Sequence, residues 1–93
     1  MIEVFQAEWC PHSAKVRMKL TELGVDFVSR QVPAEGEDRA ELQERTGQEG
    51  IPAVVLDDGT VLAGEDADII AGLEERFTAW SQAGPHRRKD DEH

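Results

Sequence analysis

Apolar residues along the chain fall into short runs whose spacing switches between two periods. The run "IEVFQ", residues 2–6, sets Ile2, Val4 and Phe5 in a β-prone stretch, which predicts a buried first strand ending at the loop that carries Cys10. From Pro11 the period lengthens. Val16, Leu20 and Leu23 stand four and three apart and Gly24 sits where a helix C-terminus is expected, so the spacing predicts a helix over 11–23. The stretch "VDFVSRQV", 25–32, is rich in β-branched and aromatic side chains and closes at Pro33, which predicts a second strand.

The stretch "AEGEDRAELQERTG", 34–47, is polar with Ala40 and Leu42 as its few apolar points, and it reads as a mostly exposed helix or a partly ordered loop. "IPAVVLDDGTVLAG", 51–64, reads as a hairpin: Ala53 to Leu56 apolar, Asp57-Asp58-Gly59 the turn, Thr60 to Leu62 returning. After Gly64, Ile69 or Ile70, Leu73, Phe77 and Trp80 recur at helical spacing, with Asp66 placed to cap the start.

The resulting order is β-α-β-α-β-β-α. A β-α-β start needs a crossover that leaves strands one and two parallel, and the hairpin adds an antiparallel pair. The expected fold is therefore an α/β domain with a four-stranded mixed sheet flanked by three helices. The final "AGPHRRKDDEH" has no apolar periodicity, so a domain over 1–82 and a flexible charged tail over 83–93 are expected.

Composition narrows the class. The chain has 93 residues, room for one small domain, and its 20 acidic against 10 basic side chains give a formal net charge of −10. That charge opposes nonspecific binding to nucleic acid or to anionic membrane, and no basic face with interleaved aromatics offsets it. No apolar run approaches the roughly 20 residues that span a bilayer. One cysteine cannot make an intrachain disulfide, which favours a reducing, cytoplasmic setting over a disulfide-stapled secreted scaffold. His12, His86 and His93 show no repeated ligand spacing.

Chemistry concentrates at Cys10. It lies between the first strand and the first helix, just before a proline suited to the first helical position, so it is expected near the N-cap, with its sulfur facing the backbone N–H groups of His12 and Ser13. Those donors and the positive helix end favour thiolate. An unperturbed cysteine is only about 3% thiolate at pH 7. Lys15, Arg17 and Lys19 lie on the same helix, and Lys15 is the one expected near the site; Arg17 and Lys19 read as a solvated face. Set against this is the ordinary fate of an isolated cysteine, a small buried apolar residue.

"WCPHS" after a short strand, "TGQEGIP" some forty residues on, and "DDGTVLAGED" after it together resemble the glutaredoxins over roughly residues 1–80. The resemblance implies a thioredoxin-like fold. That family uses C-P-Y-C in dithiol members and C-G-F-S in many monothiol members, so Cys10-Pro11-His12-Ser13 combines the proline of one with the serine of the other. It also implies a cis bond at Ile51-Pro52, with the Ile51 backbone offered to a peptide or tripeptide. Gly64, Glu65 and Asp66 fall where the family binds the γ-glutamyl end of glutathione. N–H groups at a helix start suit a carboxylate, and the Asp66 carboxylate suits an ammonium. "GEDADIIAGLEERF" is similar as well to the end of the N-terminal domain of glutathione transferases, enzymes that carry a large helical second domain.

Two departures from the family stand out. Where many glutaredoxins have a lysine that binds the glycyl carboxylate, this chain has Gln6-Ala7-Glu8, and Glu8 is expected to raise the thiol pKa and repel glutathione. His12 replaces the usual aromatic, as a proton shuttle or as an exposed histidine without duty. Trp9 is a candidate for the substrate rim or for local packing, and Gln43 for a polar contact from the second helix.

The expectation that follows is a monomeric monothiol oxidoreductase with Cys10 as nucleophile. It would act on glutathionylated or other mixed-disulfide proteins, with glutathione or another low-molecular-weight thiol as cosubstrate. Ser13 cannot form a Cys-X-X-Cys disulfide, which disfavours the dithiol route. Two alternatives stand beside it: a glutathione-dependent [2Fe-2S] carrier, disfavoured by Pro11 where cluster binders have glycine, and a noncatalytic thiol-binding or interaction module.

Overall fold

The computed structural model describes residues 1–77; Trp80 and the expected tail, 83–93, lie outside them. Four strands are present, β1 (Ile2–Gln6), β2 (Phe27–Gln31), β3 (Ala53–Val55) and β4 (Val61–Leu62), with three helices, α1 (Pro11–Leu23), α2 (Ala40–Thr46) and α3 (Asp66–Arg76). They form one mixed sheet of order β2-β1-β3-β4, with β1 parallel to β2 and antiparallel to β3. The mixed four-stranded sheet follows the order of elements read from the pattern, and its thioredoxin-like architecture is the one the family resemblance implies.

Alternation along β1 sorts the core into two layers. Ile2 and Val4 join Val54 and Leu56 on one face, where α1 supplies Val16, Leu20 and Leu23 and α3 supplies Ile69 and Leu73. Phe5 joins Ala53 and Val55 on the other face, against Leu42 of α2. Both faces of β1 and β3 are thereby covered, and α1 and α3 lie side by side on one of them. Ile69 is the buried member of the Ile69-Ile70 pair, and Phe77, which ends α3, packs half-buried against the same core.

Helix α1 occupies the expected span. Gly24 ends it at φ 72°, with its N–H on the Thr21 carbonyl and that of Val25 on Leu20, a Schellman arrangement that only glycine enters without strain. The hairpin also forms as expected: Gly59 adopts φ 88°, and the Asp58 carboxylate takes the Thr60 N–H at 2.9 Å.

Two segments differ from expectation. The second strand starts at Phe27 rather than Val25, because the Val25 N–H is committed to the helix end, and it is an exposed edge. In the polar stretch a 3-10 turn, Gly36–Asp38, precedes α2; Ala40 is exposed and Arg39 is buried instead. The Arg39 guanidinium donates to the carbonyls of Pro33 (2.7 Å), Glu49 (2.9 Å) and Ala34 (3.0 Å), so its burial leaves those donors satisfied. A cleft of about 390 Å³ opens on this α2 face, lined by Phe5, Arg39 and Leu42 among others.

Candidate active site

The end of β1 delivers the chain into α1, and Cys10 stands at the junction as the N-cap in extended conformation, with Pro11 as first helical residue. The Cys10 Sγ accepts the Ser13 N–H at 3.4 Å. Ser13 is fully buried, and its Oγ accepts the Ala7 N–H at 3.4 Å while its side chain also hydrogen-bonds the sulfur. The residue that replaces a second cysteine therefore braces the loop and supports the thiolate. Burial pushes the Cys10 thiol up, but the Ser13 hydroxyl, the backbone N–H groups of Ser13 and His12, and the Arg17 charge outweigh it, so the thiol lies below its usual value. Cys10 is buried, at 6% exposure, yet it is not apolar filler: its sulfur is the acceptor for a helix N-terminus.

Arg17, rather than Lys15, is the side-chain cation that acts on the sulfur. It is four residues after Ser13 and so on the same side of α1. Its Nη1 donates to the Gln6 carboxamide oxygen and lies 3.4 Å from the Glu8 carboxylate. Glu8 is consequently paired with Arg17 and is not among the leading causes of the Cys10 shift, whose net direction is down rather than the rise expected of it. Gln6 is wholly buried, and its Nε2 has no hydrogen-bond partner among the described residues. Sequence reasoning left Arg17 on a solvated face. The available signal was the stripe Ser13, Val16, Leu20, beside which Arg17 stands.

Lys15 instead joins a second cluster. At the start of α3, Gly64 adopts φ 99°, Glu65 is the N-cap and Asp66 is the first helical residue. Asp66 does not cap the helix as expected: its carboxylate Oδ2 lies 2.7 Å from His12 Nδ1 and 3.6 Å from Lys15 Nζ. The hydrogen bond to His12, the Lys15 charge and the Ala67 N–H hold the Asp66 carboxyl below its usual value despite partial burial. His12 is thus not an idle exposed histidine; it links the first turns of α1 and α3.

The remaining candidates are dispersed around these two clusters. Ile51-Pro52 is a cis peptide bond directly before β3, and extending the β1–β3 register by one step sets Pro52 opposite Gln6, at the end of the sheet where Cys10 lies. Trp9 is 68% exposed, which removes packing as its role. Gln43 is exposed on α2, the helix on the opposite sheet face. Among the described residues no group of three or more His, Cys, Asp or Glu side chains is arranged to hold a metal ion.

The family model described as "Glutaredoxin" matches residues 2–61. The chain belongs to the glutaredoxin family. Among curated proteins this glutaredoxin is 26% identical over 69 residues, covering 74% of the chain and 92% of its relative, to an uncharacterized glutaredoxin-like 8.6 kDa protein in the rubredoxin operon of Clostridium pasteurianum. A glutathione S-transferase from Xanthobacter autotrophicus Py2 superposes with a TM-score of 0.70 at 23% identity, over 81% of the chain and 37% of the transferase. Glutaredoxin 2 from Salmonella typhimurium, solved in complex with glutathione, superposes with a TM-score of 0.69 at 19% identity, over 98% of the chain and 39% of that protein. At these identities the likeness is one of fold, and the chain spans less than two fifths of either solved structure.

Proposed function

We propose that this glutaredoxin is a monothiol thiol-disulfide exchange enzyme working on mixed disulfides in a reducing compartment. The observation that carries the reading is the Cys10 sulfur accepting the Ser13 N–H at the start of α1, with its pKa lowered. A thiolate poised there attacks the sulfur of a mixed disulfide. A new S–S bond forms to Cys10, the old one breaks, and the departing thiolate takes up a proton. A second low-molecular-weight thiol then attacks the Cys10 adduct, leaves as a symmetric disulfide and returns the thiolate. Each turnover consumes one free small thiol: its sulfur and the one carried in by the mixed disulfide leave joined as the symmetric disulfide, while the substrate sulfur leaves as a thiol.

Each neighbouring side chain has a part in the cycle. Ser13 steadies the thiolate as attacking and leaving group. Arg17 adds charge beside it, while the exposed Trp9 forms the rim on which the substrate rests. The Ile51 backbone and the Gly64-Glu65-Asp66 turn hold the small thiol, and glutathione serves as the probe of the cycle. The test is steady-state release of glutathione from a glutathionylated peptide with excess glutathione as reductant. Native protein is expected to turn over and Cys10→Ser to be inactive; turnover that survives in Cys10→Ser contradicts the reading.

A further inference from the structure

Asp66 is the acidic side chain that a ligand ammonium would seek in this site, and it is already engaged. A carboxylate offers about four acceptor directions. Here one oxygen takes His12 Nδ1 at 2.7 Å and has Lys15 Nζ at 3.6 Å, and the group also takes the Ala67 N–H. The Asp66 side chain is 14% exposed, against 59% for His12 and 63% for Lys15, so the carboxylate is largely shielded while both of its basic partners meet solvent. Lys15 alone cancels its charge, so an arriving ammonium must displace the imidazole or sit beside a like charge, whereas a neutral or anionic group meets neither obstacle.

We propose that His12 and Lys15 act as specificity-determining residues, holding Asp66 so that the site favours low-molecular-weight thiols with no ammonium at the end that reaches it. The inference rests on the exchange reading above, since it concerns the small thiol that reacts at Cys10, and it narrows that thiol to a chemical class. His12 and Lys15 act through Asp66 and are positioning residues. The histidine within the Cys10 motif then has a purpose: the phenylalanine of C-G-F-S has no donor for the carboxylate, and the imidazole supplies one through Nδ1.

The test compares two symmetric disulfides, that of glutathione and that of its desamino analogue, glutaryl-cysteinylglycine. In each exchange the Cys10 thiolate forms an S–S bond to one half and the other half leaves as a thiol after taking up a proton. Mass spectrometry reads the adduct fraction at equilibrium, which needs no turnover. In the native protein the ratio of the two equilibrium constants is expected to lie at about one or to favour the desamino compound. The His12→Phe/Lys15→Met double variant should shift it by about tenfold or more toward glutathione, the worth of a freed charge-assisted hydrogen bond. Adding Asp66→Asn should return it to about one, an outcome that a merely structural role for His12 does not produce. A native ratio already about tenfold in favour of glutathione, or one that the double variant leaves unmoved, overturns the inference while leaving the exchange reading intact. A shifting ratio without steady-state turnover overturns the exchange cycle and leaves the inference. Adduct formation with neither disulfide overturns both.

Discussion

The starts of α1 and α3 lie on the same sheet face and are joined through Asp66, yet they treat negative charge in different ways. At α1 the acceptor is the Cys10 sulfur, held by backbone N–H groups and by the buried Ser13 hydroxyl, all within three residues. At α3 the acceptor is the Asp66 carboxylate, held chiefly by side chains that arrive from α1, more than fifty residues away in sequence. A cap made of local backbone is fixed once the helix forms. A cap made of exposed side chains can be displaced by a ligand. The first suits a nucleophile that must keep its ionisation state, and the second suits a recognition group whose availability is regulated.

The largest effect on that pairing should come from the packing beneath it. Leu73 is wholly buried where α3 meets the core shared with α1, so Leu73→Ala should cost about 2–5 kcal/mol in chemical denaturation. A loss well under that range would mean that α3 is not anchored through this contact.

Ser13→Ala should come next. It leaves the buried Ala7 N–H without its acceptor, at about 1–3 kcal/mol, and it removes the hydroxyl from the sulfur. The Cys10 pKa should rise and transfer near neutral pH should fall several-fold. If the titration of Cys10 is unmoved, the Ser13 hydroxyl has no part in setting its ionisation.

Arg17→Met should raise the same pKa by less, because the Arg17 charge ranks below the hydrogen bonds of Ser13 and His12 among the causes of the lowering. A larger rise than in Ser13→Ala would reverse the ranking between the Ser13 hydroxyl and the Arg17 charge.

The smallest effect belongs to Asp66. Its carboxyl pKa is depressed in the folded protein, so the pair contributes stability above the ordinary aspartate value, and that contribution is lost as pH falls through the lower folded value. His12→Phe should therefore be less stable than the native chain near neutral pH, with the gap closing in acid. A gap that stays constant down through the carboxylate range would show that the contact carries no ionisation linkage.

What could be read from the sequence follows the same division between local and distant causes. The β1 strand, the α1 helix with its Gly24 end and the Asp58-Gly59 hairpin are set by neighbouring residues, and they stand where the pattern puts them. The position of Cys10 at the N-cap was legible for the same reason. Arg39 was not, because its burial depends on three carbonyls brought in by the segments before and after it. The roles of Glu8 and Arg17 depend on a strand end meeting a helix face, and Asp66 exchanged a capping role for a partner, His12, that spacing along the chain could not reveal. The cis bond at Ile51-Pro52 came from family resemblance alone.

The central claim is that the α1 N-terminus lowers the Cys10 pKa below that of an ordinary cysteine. The most direct measurement is the pH dependence of Cys10 alkylation by iodoacetamide, with Ser13→Ala alongside. The account predicts a midpoint below the ordinary value of about 8.5, moving upward in the variant. A native midpoint at or above that value would contradict it.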